Sequence, residues 1–173
     1  MEPRVTGRIA SLLSLLLLLA PFAAAQEPGP EQQKLGYFVG TWLLDGEMKP
    51  GGKFSGTERN EWLSGGFFVV SHSDAKMSSG SIRGLTVMGY DPDARAYTYH
   101  SFNSDGTMQS ARGALEGDTW TWLSESKVGE QQAKARYTVK EISSASYTFK
   151  FETSLDGGKS WTTIMDGKAT RLR

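Results

Sequence analysis

Hydrophobic and polar residues alternate along most of this chain with a period of two. Tyr147, Phe149 and Phe151 alternate with Thr148, Lys150 and Glu152; Trp120 and Trp122 alternate with Thr119 and Thr121; Tyr97 and Tyr99 alternate with Thr98 and His100. Such alternation marks strands with one face on a core and one in water. Glycine-rich turns punctuate it, among them Lys49-Pro50-Gly51-Gly52, Ser64-Gly65-Gly66, Asp91-Pro92-Asp93-Ala94, Asn103-Ser104-Asp105-Gly106 and Glu116-Gly117-Asp118. The pattern predicts about ten strands, at 42–48, 56–63, 67–74, 82–90, 95–102, 107–115, 119–125, 132–142, 147–153 and 160–171. Helical periodicity is lacking, and residues 34–39 allow one turn of helix at most. Beyond Pro30 the only prolines are Pro50 and Pro92, both in turns, so no strand interior is interrupted.

Every link is short enough for a hairpin, which predicts an up-and-down order. An open ten-stranded sheet would leave two exposed edges that closure removes. The expected fold is therefore all-β: a single closed antiparallel up-and-down β-barrel over residues 35–173. A two-sheet sandwich is the alternative, and it would need long crossovers that the turn spacing does not provide.

The first 25 residues break the alternation. Arg4 and Arg8 precede a nearly charge-free run, Ile9 to Ala25, which holds Leu15 to Leu19 and ends Pro21-Phe22-Ala23-Ala24-Ala25. A basic start, an apolar middle and a small-residue end describe a secretory signal peptide cleaved after Ala25, too short for a membrane span. Residues 26–34, polar and with two prolines, read as a flexible tail. The protein is expected to be exported, periplasmic or secreted, and soluble after cleavage. No membrane anchor is expected, because the chain has no cysteine to carry a lipid.

Charge then narrows the partners. The chain carries 19 basic and 19 acidic residues, and loss of residues 1–25 removes only two basic and one acidic. A near-neutral domain without basic clusters has no footprint for nucleic acid. The lack of cysteine also excludes disulfides, thiolate metal sites and cysteine nucleophiles.

At the first strand stands Val39-Gly40-Thr41-Trp42, and the last ends in Arg171-Leu172-Arg173. A Gly-x-Trp opening resembles that of lipocalin-like (calycin) barrels, in which the tryptophan closes one end beneath a basic residue of the last strand. The resemblance makes Gly40, Trp42 and Arg171 a structural seal, its cation–π stacking worth ~1–2 kcal/mol when partly desolvated. Across roughly residues 34–171 the chain resembles the bacterial family catalogued as domain of unknown function 1579. The resemblance rests on Val39-Gly40-Thr41-Trp42, Asn60-Glu61-Trp62, Gly65-Gly66-Phe67, Met88-Gly89-Tyr90-Asp91 and the stretch from Tyr97 to Gly106. It implies a calycin-like barrel and brings no catalytic residues.

Three features invite chemistry. Ser154-Leu155-Asp156-Gly157-Gly158-Lys159-Ser160-Trp161 is similar to the Asp-box of sialidase propellers; occurring once in a short chain, it reads as a hairpin device. His72 and His100 suggest a metal or haem, since nitrobindin-like barrels share the Gly-x-Trp opening. Those hold haem through a late histidine, and the last two strands here have none, so no haem and no other cofactor is expected. Finally, Glu61, His72, His100, Arg112, Arg136 and Glu152 lie within strands, where an inward-pointing ionisable group would mark a site.

The aromatic content, five Trp, six Tyr and eight Phe, can line a pocket or fill a core. The expected ligand-pocket residues are Glu61, His72, Tyr99, His100, Arg112, Trp120, Trp122, Phe149 and Phe151. The reading is a barrel that binds a small hydrophobic or amphipathic molecule. The alternatives are a lipocalin-like isomerase, decarboxylase or lyase using Glu61, His100 and Arg112, and an envelope module that binds another protein on its outer face.

Overall fold

The computed structural model describes residues 27–128 and 131–172. The export signal at 1–25 lies outside the described residues. Ten strands follow one another: β1 Gly40–Met48, β2 Gly52–Trp62, β3 Val69–Met77, β4 Gly80–Asp91, β5 Ala96–Asn103, β6 Met108–Glu116, β7 Thr119–Val128, β8 Gln131–Ser143, β9 Ser146–Ser154 and β10 Thr162–Arg171. Each pairs antiparallel with its neighbour in sequence, and β1 pairs with β10, so the sheet is a closed up-and-down barrel. All ten predicted strands are present.

Register carries the alternation around the barrel. Opposite Trp42 of β1 stand Arg171 on β10 and Glu58 on β2. From Trp42, every second residue faces inward, which makes Leu44, Gly46 and Met48 the inner face of β1. The same rule puts Phe54, Glu58, Asn60 and Trp62 inside on β2, Tyr97 and Tyr99 on β5, Trp120 and Trp122 on β7, and Tyr147, Phe149 and Phe151 on β9.

The cross-strand pair Gly46 and Gly167 lets two inward rings lie flat on the wall. A Cβ on Gly46 would stand 2.6 Å from Phe54 Cε1, and one on Gly167 would stand 2.5 Å from Phe149 Cζ. The two phenyl rings thereby come within 5.9 Å of each other inside the barrel.

A short α-helix, α1 (Pro30–Lys34), and a 3₁₀ turn at Leu35–Tyr37 close the end near Trp42. This revises the expectation of a flexible tail at 26–34. Pro30 opens the helix, where its fixed φ favours helix and its missing N–H costs nothing. Glu31 and Lys34 pair at 2.8 Å one turn apart, and Glu31 also accepts the Tyr97 hydroxyl at 2.6 Å. Polar residues 27–34 thus make tertiary contacts that their composition conceals.

Behind the helix, Leu35 and Phe38 are buried with Trp42, Trp120, Trp122 and Tyr147. Phe38 meets Trp120 at 5.1 Å, Trp122 at 6.0 Å and Tyr147 at 6.1 Å between ring centroids. Each such aromatic pair adds ~0.5–1.5 kcal/mol beyond simple burial. The Phe38 carbonyl accepts from Trp42 Nε1 at 2.7 Å and Asn60 Nδ2 at 3.0 Å, latching plug to wall. Arg171 lies with Cζ 4.3 Å above the Trp42 ring and donates to the carbonyls of Tyr37, Val39 and Ser144.

The opposite end carries no such cover among the described residues. There the inward side chains are only half-buried: Met48, Met77, Ile82, Asn103, Gln109 and Met165. The barrel is closed at one end and open at the other.

Candidate functional site

The interior changes character halfway along. Below lies the aromatic plug; toward the open end the inward residues shrink to Gly56, Ser73, Ala75, Gly84, Ser101, Ala111, Ala133 and Ala135. Eight strands give an interior that side chains just fill; with ten, the small inward residues Gly56, Ser73, Ala75, Gly84 and Ala135 are only half-buried, and the open half is a lumen.

At the boundary stands Glu58. Its carboxyl accepts the Tyr147 hydroxyl at 3.2 Å and hydrogen-bonds the Asn60 amide, and among the described residues it has no cationic partner. The inward cation of the closed end, Arg171, is committed to Trp42 and three carbonyls. Burial therefore dominates and raises the Glu58 pKa above the ordinary carboxyl value, against the lowering effect of the two hydrogen bonds.

Three tyrosines face the same space. Burial pushes the Tyr99 hydroxyl up to about 12, with hydrogen bonds to Thr86 and Ser101 acting against it and the nearby Glu58 adding to it. Tyr137 and Tyr147 are raised further by burial and then by Glu58. At neutral pH all three are neutral phenols. Glu58, Thr86, Tyr99 and Tyr137 nevertheless retain accessible surface although the wall encloses them, which makes them lumen lining rather than solid core.

They line a cavity of about 20 Å³ together with Asn60, Ser71, Trp122, Tyr147 and, from the plug, Phe38. Trp122 is positioned by Gly113 opposite it, where a Cβ would stand 2.8 Å from Trp122 Cδ1. Two buried polar atoms on this cavity have no hydrogen-bond partner among the described residues: Asn60 Oδ1, an acceptor, and Trp122 Nε1, a donor.

The residues expected from sequence divide cleanly. Tyr99, Trp120, Trp122, Phe149 and Phe151 point inward, and Gly40, Trp42 and Arg171 form the seal. Glu61, His72, His100 and Arg112 are exposed on the outer wall. Glu61 pairs there with Arg59 and Arg112 with Asp91, and His100 bonds Ser110. They are corrected out of the pocket because each is one residue out of step with an inward-facing neighbour: Asn60 or Trp62, Ser71, Tyr99 and Ala111. The pair Arg136 and Glu152 is also outside, joined at 2.8 Å under the Trp161 ring. Sequence reasoning missed Glu58, Asn60, Tyr137 and Tyr147, although burial of Trp62 already placed Asn60 and Glu58 on its own face.

Two other features lie on the outer wall. An open groove of about 730 Å³ is walled by Arg136, Lys140, Lys150 and Lys168 against Asp45 and Glu47, among others. Its four cations face four carboxylates, whereas the lumen holds a buried carboxyl and two unpartnered polar atoms, so the lumen is the better-built site. Leu85, Phe102 and Met108 form an exposed apolar row across β4, β5 and β6. Among the described residues no group of three or more His, Asp or Glu is placed to hold a metal. Asp156 organises the hairpin after β9, accepting from Ser154 Oγ, Ser160 Oγ and the Lys159 and Ser160 amides at 2.6–2.9 Å. Its motif is a turn.

Together these features define a closed antiparallel barrel with an acid and three phenols on its lumen. The chain belongs to the family described as protein of unknown function, DUF1579, which it matches over residues 27–171. No curated protein matches it. Among solved structures, a de novo designed fluorescence-activating β-barrel is similar at TM-score 0.46 and 17% identity, covering 79% of this chain and 95% of the design. A protein bound to DFHBI gives 0.47 at 11% identity, over 82% and 98% of the two chains. A redesigned β-barrel gives 0.38 at 12%, over 80% and 94%. At these scores the likenesses say nothing of what this chain binds.

Proposed function

We propose that this protein is an exported, calycin-like barrel that binds a small amphipathic molecule, its apolar body in the lumen and its polar end toward Glu58. Export is supported by the basic, apolar and small-residue succession at residues 1–25. The observation that carries ligand binding is Glu58 itself: an inward carboxyl without a cation, on a lumen wall that keeps accessible surface. A buried ionisable group without a charge partner costs stability, and such groups concentrate where a function needs them. Met48, Phe151 and Met165, half-buried on the inner face, supply apolar surface for the body of the ligand. Most ligand sites combine such a lining with a few polar groups that fix orientation.

The enzyme alternative built on Glu61, His100 and Arg112 has no support, because all three face away from the lumen. The test of binding is direct. Native mass spectrometry of protein purified from its host should show an adduct, and the uncharged probe N-phenyl-1-naphthylamine should gain fluorescence on addition. A bare polypeptide together with a silent probe would refute the reading.

A further inference from the structure

We infer that the closed end of the lumen receives an uncharged hydroxyl group at the tip of an apolar ligand, held by Asn60 and Trp122. This rests on the lumen-binding reading and names its head group. Asn60 and Trp122 are 3% and 1% exposed, both line the same small cavity, and each holds one buried polar atom without a partner among the described residues. Leaving either atom unpaired in a dry site is costly, so the natural occupant satisfies both. Asn60 Oδ1 requires a donor and Trp122 Nε1 requires an acceptor. The cavity, about 20 Å³, takes one water-sized group. A hydroxyl supplies donor and acceptor on a single heavy atom and fits that volume.

Other head groups fail on the same count. A ketone accepts only and leaves Asn60 Oδ1 unpaired. An ammonium donates only, leaves the Trp122 N–H unpaired, and would need Glu58 ionised in a site whose burial opposes it. A carboxylate would find the inward cation Arg171 already committed to Trp42 and three carbonyls, and the Glu58 carboxyl lies alongside.

The experiment uses the mature protein and displacement of N-phenyl-1-naphthylamine by decan-1-ol, decanoate and decylammonium. Decan-1-ol should compete at least tenfold better than either ion. Trp122→Phe should weaken decan-1-ol about tenfold more than it weakens the probe. Should that variant fold poorly, replacing the Trp122 indole by isosteric benzothiophene removes the N–H alone and should have the same effect. Equal competition by all three compounds, or decan-1-ol affinity unchanged in the benzothiophene protein, overturns the assignment and leaves the cavity a site for water only. Preference for decylammonium also overturns it, in favour of an ionised Glu58. A probe that binds without any head-group preference defeats this inference and spares the lumen reading; a probe that does not bind defeats both.

Discussion

Replacing Arg171 by alanine removes more than the stacking of one cation on one ring. The guanidinium lies 4.3 Å from the Trp42 centroid, donates through Nη2 to the Tyr37 carbonyl at 2.6 Å, through Nη1 to the Val39 carbonyl and through Nε to the Ser144 carbonyl at 3.0 Å. It thus ties the last strand to the plug segment and to the β8–β9 turn at once. A hydrogen bond from a charged donor contributes ~1.5–3 kcal/mol net, less where it is exposed, as the Ser144 bond is. The stacking adds ~1–2 kcal/mol. Two part-buried bonds and the stacking place the loss for Arg171→Ala at roughly 4–8 kcal/mol, the lower end applying if water reaches the freed carbonyls. Arg171→Lys keeps a cation above Trp42 but loses the fork, so it should lie between wild type and alanine. Equilibrium urea unfolding of the mature protein reads this directly. With a slope of ~1–3 kcal/mol per molar urea, the alanine midpoint should fall by about 1 M or more. Because arginine stays charged throughout the accessible pH range, the loss should be the same at pH 5 and pH 8. A loss under ~1 kcal/mol, or lysine equal to alanine, would show that the seal is decorative and that the buried aromatics alone hold the plug.

Two further predictions concern the interior. Glu58 has its native pKa raised above the ordinary value of 4.5 by burial, so the folded state holds its proton more tightly than the unfolded chain. Its contribution is fully present below the unfolded value and is lost as pH rises through the native one, with a slope of at most ~1.4 kcal/mol per pH unit. Glu58→Gln should therefore gain on wild type as pH is raised from 4 to 8 in urea unfolding; parallel curves would sink the idea. Gly167→Ala would force a Cβ to 2.5 Å from Phe149 Cζ and against the Asp45 carbonyl, costing ~1–3 kcal/mol as overpacking does. Chemical denaturation measures it, and an unchanged midpoint would mean the Phe149 ring does not lie on that glycine.

The strands were legible because a half-buried strand prints its two faces into the sequence, as Tyr97-Thr98-Tyr99 and Trp120-Thr121-Trp122 do. The seal was legible because its parts sit at the two chain ends of the barrel, which closure must bring together. The site was not, for a reason of parity. Choosing Glu61, His72, His100 and Arg112 by residue type ignored that Tyr99 inside already turns His100 outward. In β6 the inward set, Ala111, Gly113 and Leu115, is too small to announce its face, so Arg112 gave no warning. The helix at Pro30–Lys34 escaped because its support is tertiary, from Tyr97 to Glu31.

The polar boundary of the lumen is where sequence and stability disagree most. Glu58, the unpartnered Asn60 and Trp122 atoms and the accessible phenols all sit at the level where packing gives way to small residues. A barrel selected for stability alone would fill this layer with leucine and valine, as it does at Val139 and Val69 nearby. The dense closed end offsets what this layer costs: Leu35, Trp42, Trp120 and Tyr147 are at most 1% exposed. Rule-breaking polar groups confined to one cavity, above a plug stable enough to carry them, are what a site looks like when its occupant shares the work of satisfying it.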